Sequence, residues 1–135
     1  MPTYRKTCYL QGTMSVIKLN KERKMEKTYY KPEDLGKFGE VTQWQEALGK
    51  KFFEYYNSVF EPSSLTIREK ALIALAVSHT VQCPYCIDAY TSACIENGAD
   101  ENQMMEAVHV ATAIRGGSSL VHGVQMMNKA KEILM

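Results

Sequence analysis

Apolar residues recur at helical spacing along most of the chain, and proline, glycine and small polar residues separate the runs. Val41, Trp44, Leu48, Phe52, Tyr55 or Tyr56, and Val59 fall three to four positions apart, which predicts an aromatic-rich amphipathic helix opening after Gly39. Glu61-Pro62-Ser63-Ser64 breaks it. Thr66, with Glu69 three residues on, forms a capping box. Leu72, Ile73, Leu75, Ala76 and Val77 follow, apolar on most sides, so this second helix is expected at the buried centre. A third helix begins at Cys83-Pro84-Tyr85-Cys86 and runs to Asn97, where Gly98 supplies a left-handed stop. Asp100 with Gln103 repeats the cap signal and opens a fourth helix through Ile114. Gly116-Gly117 is expected to end it, and Ser118 or Ser119 to start a last helix that reaches the carboxyl terminus. No strand pattern has comparable strength. The fold class is all-α.

The amino-terminal residues read differently. Across residues 1–28, Arg5, Lys6, Lys18, Lys21, Arg23, Lys24 and Lys27 face only Glu22 and Glu26, without sustained periodicity. This is the composition of a basic, solvated tail, and Met14 or Met25 is an alternative start within it. The expected division is a tail over residues 1–28 and one helical domain over 29–135.

Charge then narrows the function. Sixteen Lys and Arg oppose fifteen Asp and Glu in 135 residues, a net charge of +1, which argues against broad recognition of nucleic acid or of an acidic membrane. The best apolar run, Ala71 to Val77, is far too short to span a bilayer. The amino terminus lacks the apolar stretch of a signal peptide, so a cytoplasmic location is expected. Four cysteines are too few for a disulfide-built scaffold, but Cys83 and Cys86 form a Cys-x-x-Cys pair.

With Cys83 as N-cap, Pro84 falls at the first helical position, where its missing N–H costs nothing, and Cys86 at the third. Both sulfurs then lie beside free backbone N–H groups at the positive end of the helix dipole, which favours the nucleophilic thiolate. Two intervening residues also let the sulfurs approach bonding distance, so the pair can cycle between dithiol and disulfide. Two other readings compete: two ordinary buried cysteines, or a zinc site with His79, one turn earlier, as a third ligand. Cys-Pro-Tyr-Cys also occurs in glutaredoxin-like proteins, where it follows a strand. Here it follows an Ala- and Leu-rich helix, and a thioredoxin fold is not expected.

The stretches Leu65 to Val77 and Cys83-Pro-Tyr-Cys-Ile-Asp-Ala-Tyr90 resemble the alkylhydroperoxidase D and carboxymuconolactone decarboxylase family. Gly98-Ala99, Glu106-Ala107 and the run from Gly116-Gly117 to His122 continue the resemblance over about residues 38–128. Together with Leu120 to Met127, the fuller string is most similar to the peroxidase-like branch associated with arsenosugar biosynthesis. The resemblance implies an all-helical subunit assembling into homotrimers or homohexamers, with no cofactor. It implies a thiol peroxidase or disulfide reductase, because the decarboxylases lack the cysteine pair. Cys86 would attack a small hydroperoxide or disulfide and Cys83 would resolve the sulfenic acid to a disulfide. A thiol reductant, protein or small molecule, would reopen it. Alternatives are a decarboxylase-type enzyme acting on a small lactone and a metal- or arsenic-binding thiol module.

Two positions depart from the family pattern. Its proton relay uses a Glu on the preceding helix and a His four residues after the second cysteine, and those positions here are Ala71 and Tyr90. Three groups are candidates to substitute. His79 would share a face with Cys83 if the helix continued unbroken, and a neutral imidazole can take a thiol proton. Tyr90 can donate its hydroxyl to a peroxide oxygen or a thiolate, or simply pack. Glu69 lies two residues from the Ala71 position, about 200° around an ideal helix, and its capping role already explains it. His122 matches a common family His, although packing or subunit contact accounts for it and for His109. Asp88 reads as a solvated charge and Cys94 as a small buried hydrophobe. Met104-Met105, Met126-Met127 and the ring cluster Phe52, Phe53, Tyr55 and Tyr56 read as core or subunit packing.

Overall fold

The computed structural model describes residues 28–135, so apart from Thr28 the expected basic tail lies outside the described residues. A 3-10 helix over Pro32–Gln43 precedes four α-helices: α1 (Glu46–Phe60), α2 (Ile67–Val81), α3 (Pro84–Glu96) and α4 (Glu101–Leu134). No strand occurs among the described residues, as the hydrophobic pattern predicts. None of the described helices is long and apolar enough to cross a membrane.

The caps fall where the residues place them. Thr66 Oγ1 accepts the N–H of Glu69, whose carboxylate accepts the N–H of Thr66 in return. Asp100 and Gln103 exchange the same bonds at the start of α4. Gly98, at φ +76°, takes the left-handed turn after α3. Lys70 closes the end of α1, its Nζ donating to the Val59 carbonyl at 2.7 Å and to that of Glu61. A cation beside unsatisfied carbonyls also suits the negative end of the helix dipole.

Two expectations are corrected. The row from Val41 to Val59 is not one helix: the chain bends at Trp44 and Gln45, leaving Val41 on the 3-10 helix and Trp44 exposed. Nor do Gly116 and Gly117 end a helix, since α4 runs through them for 34 residues. Among the described glycines only Gly98 adopts the positive φ that a glycine stop requires. Ser119 also gives up capping, its hydroxyl donating to the Arg115 carbonyl at 3.3 Å as a helix-interior serine does.

The centre is small. Ala71, Leu75, Cys94 and Ala99 form the buried cluster, with Leu72, Tyr90, Ala93 and Met104 packed on it. Helix α2 supplies the middle layer, packing on α3 and on α4, and the Arg115 guanidinium donates to the Thr80 carbonyl at its end. Large apolar side chains remain outside, among them Val77 on α2 and Ile114, Leu120, Val121 and Val124 on α4.

Candidate active site

The end of α2 and the start of α3 are built as one device. Gln82 takes the left-handed conformation at φ 56°. The Cys83 N–H reaches back to the Ser78 carbonyl at 3.1 Å, and the Gln82 N–H to that of His79. This is the Schellman pattern, with glutamine where glycine is usual. The chain turns at once into α3, with Cys83 as N-cap and Pro84 behind it. Cys83 Sγ accepts the backbone N–H of Cys86 at 3.2 Å. Cys83, Cys86 and Cys94 are all free thiols.

The two sulfurs are not equivalent. Burial pushes the Cys86 thiol up to about 11, helped by its hydrogen bond to Cys83 and by the nearness of that sulfur. The helix start was expected to favour thiolate at both positions. At Cys86 burial outweighs the dipole, and Cys83 takes the capping N–H. Cys94 is fully buried, and burial raises its thiol as well, as expected of a core cysteine.

A cavity of about 470 Å³ opens over both sulfurs. Its floor is Cys83, Tyr85, Cys86, Ala89 and Tyr90 of the α2–α3 turn and α3; Tyr56 of α1 and the 3-10 helix complete it. A second cavity, about 740 Å³, reaches Cys86, Tyr90 and Tyr56 from the side of Ile73, Val77 and Val81, but not Cys83. Cys86 therefore stands between two spaces and Cys83 opens onto one.

Tyr90 lies one turn after Cys86 on α3. Its hydroxyl is hydrogen-bonded to that of Tyr56, and its ring stacks on Phe60 at 5.3 Å. Burial, followed by the Tyr56 hydroxyl and the charge of Cys86, raises the Tyr90 phenol well above its usual range, so it is a hydrogen-bond donor and not a base at neutral pH.

The remaining expected residues stand apart from the sulfurs. His79 Nδ1 is engaged with the Leu75 carbonyl at 2.9 Å, does not line either cavity, and is cut off from the face of Cys83 by the turn at Gln82. Glu69 is exposed and occupied by Thr66, whose hydrogen bonds hold its carboxyl below the usual range. Ala71 is buried in the core. His109 is exposed on α4, and His122, also exposed there, pairs weakly with Gln125. Asp88 is exposed, 3.5 Å from the Tyr30 hydroxyl. Among the described residues no group of three or more His, Cys, Asp and Glu is arranged to hold a metal ion, including the Cys83, Cys86 and His79 set.

Sequence reasoning missed Tyr56 as a polar partner and missed the 3-10 helix. The signal for the second was present. Leu35, Phe38 and Val41 are spaced by three, the repeat of a 3-10 helix, behind a proline.

The chain is similar to known proteins in sequence and in fold. A Paracoccus denitrificans protein described as "Uncharacterized protein 4 in cox locus" is 34% identical over 103 residues, 76% of this chain and 89% of its own. A crystal structure of a protein from Methanobacterium thermoautotrophicum shares 30% identity with a TM-score of 0.56, covering 70% of this chain and 99% of that one. The sequence profile of the Carboxymuconolactone decarboxylase family matches residues 46–129, which include α1, α2, α3 and most of α4. The chain belongs to the carboxymuconolactone decarboxylase family.

Proposed function

We propose that the protein is a thiol peroxidase in which Cys86 and Cys83 reduce a hydroperoxide and pass to a disulfide. The observation that carries this reading is the pair itself: two free thiols at one helix start, joined through the Cys86 N–H at 3.2 Å, under a cavity large enough for a small molecule.

The chain's own groups supply the proton steps. Once Cys83 has given its proton to solvent, its sulfur is held by the Cys86 backbone N–H. Transfer of the Cys86 thiol proton to the neighbouring Cys83 sulfur then makes Cys86 the thiolate without a Glu–His relay. Cys86 sulfur attacks the terminal peroxide oxygen; the S–O bond forms, the O–O bond breaks, and the alkoxide leaves. Tyr90 gives its proton to the alkoxide, with Tyr56 donating to the Tyr90 oxygen and spreading its charge, and solvent restores the proton. Sulfur has lost two electrons and the peroxide has become an alcohol. Cys83 then displaces water from the Cys86 sulfenic acid, forming the disulfide. An external dithiol or thiol protein reopens it by exchange.

The assembly is a homotrimer or homohexamer. Support comes from the apolar rows that nothing in the described chain covers: Ile73, Val77 and Val81 on α2, and Leu120, Val124 and Met127 on α4.

The test is mass spectrometry of purified protein after one equivalent of hydroperoxide. A Cys83–Cys86 disulfide is expected in wild type, and a trappable Cys86 sulfenic acid in Cys83→Ser. A Cys86→Ser variant that consumes peroxide as fast as wild type overturns the reading, and turnover of a lactone by the Cys83→Ser, Cys86→Ser double variant would replace it with decarboxylase chemistry.

A further inference from the structure

The cavity over the sulfurs has walls of two origins. Tyr56, Ala89 and Tyr90 lie within residues 46–129, the part that matches the family. The opposite wall is the 3-10 helix Pro32–Gln43, which lies outside that match. In a 3-10 helix three residues make one turn, so side chains at i and i+3 eclipse. Leu35, Phe38 and Val41 therefore form a single straight apolar row, and all three line the cavity. An α-helix would have fanned them over most of a half-turn.

The same geometry disposes of charge. Asp34 and Lys37, also three apart, line the cavity as an ion pair at 2.7 Å. The two charges are opposite and paired, so this wall brings no net charge to the cavity.

The helix is fastened to the site at several points. Phe38 sets its ring edge-on to Phe53 at 5.1 Å and to Tyr56 at 6.2 Å. Just upstream, Tyr30 lies on Tyr85 at 4.5 Å, and the Lys31 N–H donates to the Tyr85 hydroxyl at 3.3 Å. Tyr85 stands between the two cysteines in sequence, so the wall is anchored to the reactive turn itself.

We propose that the 3-10 helix is the substrate-selecting wall of the site, fitting it to an uncharged, bulky apolar hydroperoxide such as an aryl-alkyl one and against hydrogen peroxide. A ligand gains affinity here by burying carbon against Leu35, Phe38 and Val41, and hydrogen peroxide has no carbon to bury. The catalytic part of this inference rests on the thiol-peroxidase reading; the binding part does not.

The experiment has two readouts on the full-length protein. The first is the ratio of rate constants for thiol oxidation by cumene hydroperoxide and by hydrogen peroxide. The second is binding of cumyl alcohol, the redox-inert product, to the Cys83→Ser, Cys86→Ser double variant by calorimetry. Leu35→Trp fills the cavity from the wall, and Val41→Asn places a polar group in the row at a half-exposed position. The expected result is a wild-type ratio well above ten that falls at least tenfold in both variants, with cumyl alcohol binding weakened to a similar degree. A wild-type ratio near one, or a ratio and an affinity that neither substitution moves, overturns the proposal. Cumyl alcohol binding that depends on Leu35 and Val41, in a protein whose cysteines no peroxide oxidises, would overturn the peroxidase reading and leave the apolar site standing.

Discussion

Cys83 Sγ receives the backbone N–H of Cys86 at 3.2 Å, while the Cys86 thiol leans on the Cys83 sulfur. One residue thus takes the helix start's donor and the other is left protonated. The pH dependence of alkylation at Cys86 follows. In wild type the midpoint is expected at about 11, because burial and the neighbouring sulfur both favour the neutral thiol. Cys83→Ser removes that sulfur, so the midpoint moves down. It stays above the ordinary value of 9.0, since burial is the largest cause and remains. Iodoacetamide labelling followed by peptide mass spectrometry across pH 7 to about 11.5 reads the shift, and a midpoint unmoved by Cys83→Ser would show that the two sulfurs do not interact.

Tyr90 and Tyr56 share a hydroxyl–hydroxyl hydrogen bond beside Cys86. If Tyr90 protonates the departing alkoxide, Tyr90→Phe should slow peroxide-dependent oxidation by about a hundredfold, the lower end of what a positioned general acid supplies. Tyr56→Phe should slow it less, because Tyr56 acts through Tyr90. Each variant loses one partly buried hydrogen bond, about 1 kcal/mol of stability. Equal rates in wild type and Tyr90→Phe, with only the melting temperature lowered, would reduce the pair to a packing role.

Local rules carried well from the residues to the structure and long-range ones did not. Thr66–Glu69, Asp100–Gln103, Gly98 and the Cys83-Pro84 start depend on neighbours within four residues, and all of them sit in the structure as the spacing predicts. The left-handed turn at Gln82 was not legible, because an αL residue is usually glycine and nothing in a glutamine announces it. Gly116-Gly117 misled for the opposite reason. Two glycines announce a stop, yet nothing after them competes with continued helix once Ser119 bonds to the Arg115 carbonyl. The partnership of Tyr56 with Tyr90 spans 34 residues and is decided by how α1 lies against α3, which no local pattern encodes.

Gly49 allows the end of the 3-10 helix to cross α1 closely. A Cβ added there would lie 2.9 Å from the Thr42 Cα and 2.5 Å from its methyl carbon. Backbone cannot yield as a side-chain tip can, so Gly49→Ala should push residues 32–43 off their seat at a cost of about 1–3 kcal/mol. Hydrogen exchange is the measurement. Faster exchange confined to the 3-10 helix and α1, with α2 and α3 unchanged, is expected; unaltered protection at Thr42 and its neighbours would mean that the crossing is looser than the geometry indicates.

Gly117 and Gly98 should respond to alanine with opposite signs. Gly117 lies inside α4 with nothing within 4 Å of the site a Cβ would occupy. Alanine there removes backbone freedom from the unfolded chain without a clash, so Gly117→Ala should add about 0.5–1 kcal/mol and raise the melting temperature. Gly98 has equally open space, but its φ is +76°, where an L side chain crowds its own backbone. Gly98→Ala should cost about 1–2 kcal/mol and lower the melting temperature. Both melts are compared at one protein concentration, because any self-association would shift them by mass action. A Gly117→Ala variant that is destabilised and changes its oligomer size would place a second copy of the chain against this stretch of α4, making the glycine a close-approach site between subunits.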